Sequence, residues 1–376
     1  MTELFQQLLT IIKIDNFNML YSLDEICLTP APVSSIEHRK DVIIYNNHNK
    51  LPLFSAPMAC VIDNVSAPKF EQVGINTIIP RNINWDDRYL ALVDGMWVAV
   101  GFNEAQYILD ECDFKGTPKI HLCIDQANGH MRTLLDLCKG LKTKFGDKIR
   151  IMTGNIANPK VYQECAYAGV DYIRCGIGGG SACTTSVQTG MHYPMGSLII
   201  ECNKERNKLM LDIEYGARPL AVPKIIADGG FKRIDQCVKA LALGADYVML
   251  GETLAKSNEA CGVEYYMYSK DKKTLAINGY PATHREYFGM STEKAQLLVN
   301  DASKFRVDDY IPKHSEGQVR YVPIEYSIKD WVADFEHALR SSMSYAGTKR
   351  LYGEDGYVGN VEYDYMTPVT YNAYMK

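Results

Sequence analysis

Pro223-Lys224-Ile225-Ile226-Ala227-Asp228-Gly229-Gly230 is an apolar run that stops abruptly at a carboxylate and two glycines. After residues 233–243, whose apolar side chains have helical spacing, the pattern returns in Ala245-Asp246-Tyr247-Val248-Met249-Leu250-Gly251-Glu252. A strand buried on both faces reads as a short continuous apolar run, and a helical crossover makes two such strands parallel. The same unit can be followed back through the chain. Runs at 51–56, 75–80, 96–101, 119–125, 148–155 and 171–177 bring the total to eight, with amphipathic stretches at 104–112, 131–145 and 159–168 between them. Eight βα units close naturally, so the predicted fold is α/β, a (β/α)8 TIM barrel. An open doubly wound sheet competes. It is disfavoured because polar and glycine residues end nearly every run instead of marking one crossover.

The chain of 376 residues reads as a single domain, 1–376, with its barrel core at about 51–350. Extra chain lies in two places: a flap-like insertion after strand eight, at 255–324, and a tail at about 351–376. Tyr352, Tyr357, Tyr363, Tyr365, Tyr371 and Tyr374 make that tail aromatic without clear periodicity, so packing against the barrel or a neighbouring subunit is expected. A net charge of −5 supplies no basic field for a nucleic-acid polymer. Residues 1–17 carry no leader pattern and no apolar run reaches bilayer length, which predicts a cytoplasmic protein without a membrane partner. The 11 cysteines show no CxxC pair and no zinc spacing, as expected of reduced thiols that mostly pack.

Strand six runs into Gly176-Ile177-Gly178-Gly179-Gly180-Ser181-Ala182-Cys183-Thr184-Thr185. So many glycines are unfavourable unless the backbone must turn sharply or approach something closely. Here they carry a thiol with Ser and Thr neighbours to the strand's C-terminal end, where barrels place their chemistry. A lone cysteine is usually packing, but Cys183 has poor apolar company, which leaves packing and nucleophile about evenly matched on the residues alone. Gly229-Gly230 and Gly251-Glu252 end strands seven and eight, where barrels commonly bind phosphate; each taken singly is equally well a tight turn. Asp125-Gln126-Ala127 and Asn155 add polar groups to the same rim, or cap the helices that follow.

Together the glycine-cysteine loop, the Asp-Gly-Gly turn and their order resemble the family of inosine-monophosphate dehydrogenases and guanosine-monophosphate reductases, from Ser55-Ala56-Pro57-Met58 to Ser344-Tyr345-Ala346-Gly347. The resemblance implies that Cys183 attacks purine C2, that Thr185 assists proton transfer, and that hydride moves between C2 and a nicotinamide. It places Ser55, Met58, Ser181, Asp228, Gly229, Gly230, Gly251 and Glu252 around the purine mononucleotide, with Gly289-Met290-Ser291, Lys313, Ser315 and Gly317. The cofactor, NADPH or else NADH, is expected near Asp125, Gln126, Ala127, Asn155, Ile177 and Gly178, with Arg81 and a neighbouring subunit's Arg39 as phosphate partners. Carbonyls of Gly178, Gly180 and Cys183 match a potassium (K+) site, and a homotetramer is implied.

Within that family the reductase is favoured. Glu316, in Ser315-Glu316-Gly317, falls where the reductases carry their acid, whereas Lys304-Phe305-Arg306 lacks the Arg-Tyr pair by which dehydrogenases activate water. The short passage between strands two and three leaves no room for a CBS module. Ala59, Ser186 and Lys313 depart from the family pattern, and the stretch from Met290 to Glu316 has a length closer to the dehydrogenases. Two alternatives therefore stay open: an IMP dehydrogenase forming XMP with NAD, and a purine-nucleotide-binding homologue without catalysis.

Overall fold

The structure, a computed structural model, describes residues 19–269, 272–275 and 281–374. The reading of residues 1–17 lies outside the described residues. The eight predicted strands are β1 (Leu53–Ser55), β2 (Ile78–Ile79), β3 (Trp97–Val100), β4 (Ile120–Asp125), β5 (Ile149–Ile156), β6 (Tyr172–Cys175), β7 (Lys224–Asp228) and β8 (Tyr247–Leu250). They pair in parallel in the order β1-β8-β7-β6-β5-β4-β3-β2. The ring is closed between β1 and β2 by a bridge from Phe54 to Asn76. Its backbone bonds are Ser55 N to Asn76 O, 2.9 Å, and Asn76 N to Leu53 O, 3.0 Å. Asn76 Nδ2 donates to the Leu51 and Leu53 carbonyls at 3.1 and 2.8 Å, and Ile78 N donates to Ser55 Oγ at 3.2 Å. Side-chain groups thus complete the ladder where β2 is too short.

Side chains alternate between two separate cores, as the period of a strand demands. Phe54, Ile78, Ala99, Cys123, Met152, Ile226, Tyr247 and Met249 fill the barrel interior. Leu53, Val98, Leu122, Ile151, Ile173, Ile225 and Val248 face the helical ring. Helices Ala67–Gln72, Trp85–Val93, Phe102–Glu111, Arg132–Phe145, Val161–Tyr167, Met195–Glu214 and Ile234–Ala242 follow β1 to β7, and Ile328–Ala346 completes the ring. Only the helix Trp85–Val93 lies between β2 and β3. Among the described residues no helix is long and apolar enough to cross a membrane.

The insertion after β8 has its own architecture. Strands β9 (Glu264–Ser269), β10 (Lys272–Leu275), β11 (His284–Phe288) and β12 (Val319–Pro323) form an antiparallel sheet in the order β10-β9-β11-β12, with helix Glu293–Ala302 between β11 and β12. A buried ion pair fastens this helix to the barrel. Arg88 donates to both Glu104 oxygens, at 2.9 and 2.7 Å, and Glu104 Oε1 accepts from Ser303 Oγ at 3.2 Å. Burial alone would raise the Glu104 carboxyl; Arg88 and the Gly101 N–H outweigh it and hold the group below its ordinary range.

The tail packs, and it is more regular than its sequence suggests. Tyr352 Oη donates to Asp246 O at 2.7 Å, ahead of β8 and so at the end of the barrel opposite the strand C-termini. Tyr357 is fully buried beside Ser342, at 2.6 Å. Tyr363–Tyr365 pairs antiparallel with Ile26–Leu28, and Pro368–Tyr374 is helical. A three-residue strand is too short to show alternation, which is why the sequence reads as irregular there.

Candidate active site

Two glycine turns meet at the mouth of the barrel. Gly176, at φ 136°, leaves β6 so close to β7 that a Cβ there would lie 2.2 Å from the Asp228 carbonyl oxygen. Gly230, at φ 82°, would place a Cβ 2.6 Å from Gly179 O. Both positions combine a left-handed backbone with no space for a side chain, so the thiol loop and the Asp228-Gly229-Gly230 turn lie backbone against backbone.

The loop then meets the insertion. Cys183 bridges Gly317 in an antiparallel contact, with Thr184 N donating to Glu316 O and Gln318 N to Ala182 O, each at 2.9 Å. This short ladder brings together residues 131 positions apart: the Cys183 thiol donates to Thr185 Oγ1 at 3.2 Å, and that hydroxyl donates to Glu316 Oε2 at 2.7 Å. All three side chains are half-buried. All 11 cysteines are free, and eight are buried. Burial pushes the Cys60, Cys123 and Cys165 thiols up to about 12, which leaves them poor nucleophiles.

Other predicted residues surround this chain. Ser315 Oγ donates to Gly317 O at 3.0 Å, and a Cβ on Gly317 would lie 3.2 Å from Ser291 Oγ. A Cβ on Gly289 would lie 3.6 Å from Ala182 O, so the Gly289-Met290-Ser291 segment lies against the thiol loop. Gln296 holds Lys313 through its backbone, accepting from its N–H at 2.8 Å and donating to its carbonyl at 3.0 Å, while the lysine side chain is exposed. Met58 Sδ accepts from Tyr287 Oη at 3.8 Å and lies beside Gly251. Ser55 is fully buried, and its Oγ accepts from Ile78 N at 3.2 Å across the β1–β2 seam.

The floor of the mouth is a charged network. Arg174, 7% exposed and on the interior face of β6, donates to Asp125 Oδ1 at 2.6 Å and through Nε to Asp228 Oδ2 at 2.9 Å. Asn155 Nδ2 donates to Asp228 Oδ2 and to Gly176 O, both at 2.8 Å. Burial opposes the guanidinium charge, but the two carboxylates outweigh it and keep Arg174 protonated. Asp125 and Asn155 therefore join strands instead of capping helices. Gln126 pairs with Gly154 and Asn155 through its backbone at 3.3 and 2.8 Å, and Ala127 is exposed beside it. Arg81 lies over Gly101, 3.9 Å from Asp125 Oδ2, and its Nε is buried without a partner. Arg39 is on the outer face of the same chain, 3.1 Å from His337 Nε2.

The IMP dehydrogenase / GMP reductase domain model matches residues 119–353, more than half of the chain. The chain belongs to the IMP dehydrogenase / GMP reductase family. Among its relatives, the GMP reductase of Vibrio parahaemolyticus serotype O3:K6 (strain RIMD 2210633) is 32% identical over 316 residues, covering 80% of each chain. The GMP reductase of Aliivibrio fischeri (strain ATCC 700601 / ES114) is 29% identical over 308 residues, again 80% of each.

Three residues of this family member escape the sequence reading. Arg174 is signalled only by a charged residue in the interior phase of Tyr172-Ile173-Arg174-Cys175. Tyr287 and Arg320 belong to the insertion, whose strands no pattern announced. Of the three carbonyls matched to a cation, Gly178 O accepts from Ser186 Oγ at 3.3 Å and Gly180 O from Cys183 N at 2.9 Å, each keeping a second lone pair. Ser186, a departure from the family pattern, itself stiffens the loop.

Proposed function

We propose that this chain is a GMP reductase-like oxidoreductase that converts GMP and NADPH into IMP, ammonia and NADP. The observation that carries the reading is the unbroken Cys183–Thr185–Glu316 hydrogen-bond chain, which joins a nucleophile to an acid through a hydroxyl. The names of the relatives support the same class.

In this mechanism Cys183 Sγ bonds to C2 of guanine as its proton passes through Thr185 Oγ1 to Glu316. Glu316 returns that proton by the same route to the 2-amino group, which leaves as ammonia once the C2–N bond breaks, and a thioimidate remains on Cys183. A bound reduced nicotinamide supplies the hydride that C2 accepts. The C–S bond then breaks, IMP forms and Cys183 departs as thiolate. Asp228, held by Arg174 and Asn155, would orient the ribose, and the orphaned Arg81 Nε fits an anionic group on the cofactor. K+, held by the carbonyls of Gly178, Gly180 and Cys183, would brace the loop, and no step is routed through it. Assembly as a homotetramer and a cofactor contact from a neighbouring Arg39 remain part of the proposal.

The dehydrogenase reading requires groups that activate water. At the corresponding place Lys304 Nζ lies 4.2 Å from the Tyr107 ring centroid, and Arg306 pairs with Asp308 at 3.7 Å. Both cations have partners of their own. A crossed assay of GMP and IMP with NADPH, NADH and NAD, with ammonia followed, tests the choice. Reduced cofactor should be consumed with GMP and ammonia released one for one; NAD reduction with IMP would transfer the chain to the dehydrogenases.

Glu316→Gln should lower the deamination rate by about 10²–10⁴-fold, the usual range for a positioned acid. Hydride transfer to a preformed thioimidate, followed in single turnovers, should fall far less. Equal losses in both steps would reduce Glu316 to a positioning group.

A further inference from the structure

At the C-terminal ends of β7 and β8, where barrels commonly bind phosphate, stands a carboxylate. Glu252 follows Gly251 at the end of β8, and its side chain is only 15% exposed. Its Oε2 is buried without a hydrogen bond; its ion-pair partner Arg320 Nη1 is 3.5 Å away and also donates to Ser181 O at 3.0 Å. Ser181 Oγ is also buried, and its neighbour is the Tyr287 hydroxyl. A carboxylate held by one ion pair and a buried hydroxyl thus stand at the strand ends near the Gly229-Gly230 turn.

A phosphate cradle needs donors and positive potential. Glu252 is paired with the half-exposed Arg320, and behind them Asp228 with Arg174, so the charges of these two pairs cancel. A dianionic phosphate would meet an acceptor-only group with which it can form no hydrogen bond. A 5′-hydroxyl meets the opposite situation: it donates to Glu252 Oε2 and accepts from Ser181 Oγ.

We propose that Glu252 is a specificity-determining residue that penalises a 5′-phosphate, so that the site takes the nucleoside guanosine alongside GMP. The proposal rests on the purine C2 reading above and alters only its 5′ end. Discrimination here comes from an unfavourable contact with one ligand and a favourable one with the other.

The test is calorimetric titration of the full chain with guanosine and with GMP, repeated on Glu252→Ser and on the near-isosteric Glu252→Gln. Wild-type dissociation constants should agree within about tenfold, the effect of one such contact. Both variants should shift the ratio toward GMP by about tenfold or more, GMP tightening while guanosine weakens. Wild-type binding of GMP more than about a hundredfold tighter than guanosine, or a ratio unmoved by both substitutions, overturns the proposal. If the variants do not fold, the wild-type ratio alone decides. Strong GMP preference with intact reduction removes only this inference, whereas failure to bind either ligand removes the purine reading as well.

Discussion

Cys183→Ala is expected to lower GMP reduction by roughly 10⁴-fold or more while GMP binding, measured by calorimetry, changes little. The size follows from the role: removing a covalent nucleophile eliminates the route, and what remains is the acceleration from binding and electrostatics alone. Binding should persist because Asp228, Gly229 and Gly230 are placed by β7 and Arg174, independently of the thiol. Alkylation adds an independent readout. Eight of the 11 thiols are buried, so a small alkylating reagent should modify half-buried Cys183 ahead of them, and bound GMP should protect it. A variant that turns over at the wild-type rate would remove the covalent mechanism, and unprotected alkylation at saturating GMP would place the base elsewhere.

Parts of this site were legible in the sequence because they are local. Glycine turns at the ends of apolar runs state their own backbone requirement, and Gly176 and Gly230 sit where no side chain fits. The strands were legible for a related reason: burial on both faces leaves uninterrupted apolar runs, and eight of them fix the barrel. Glu316 could be placed only by resemblance, because its distance from Thr185 along the chain is bridged by a short ladder that no periodicity reveals. The insertion stayed opaque for the same reason. β9 to β12 are held by pairing between distant segments, and their register depends on partners as much as on their own residues. The seam contact of Ser55 Oγ with Ile78 N was equally hidden, because it joins two strands that the sequence shows only one at a time.

Arg174→Met should destabilise the protein by about 3–5 kcal/mol, the usual cost of removing one partner from a buried ion pair. For a chain of this length that is a melting shift on the order of 5 °C. The cost arises from what is left behind: Asp125 and Asp228, at 14% and 11% side-chain exposure, would stay desolvated with no cation between them. Function should suffer through position: without Arg174, Asp228 keeps only Asn155, so KM for the purine ligand should rise more than kcat falls. Arg174→Lys, with one point charge in place of a fork, should recover part of the stability but less of the affinity. A methionine variant as stable as wild type at neutral pH would mean that the two aspartates do not depend on the guanidinium. The barrel floor would then have to be held by the seam and strand ladders alone.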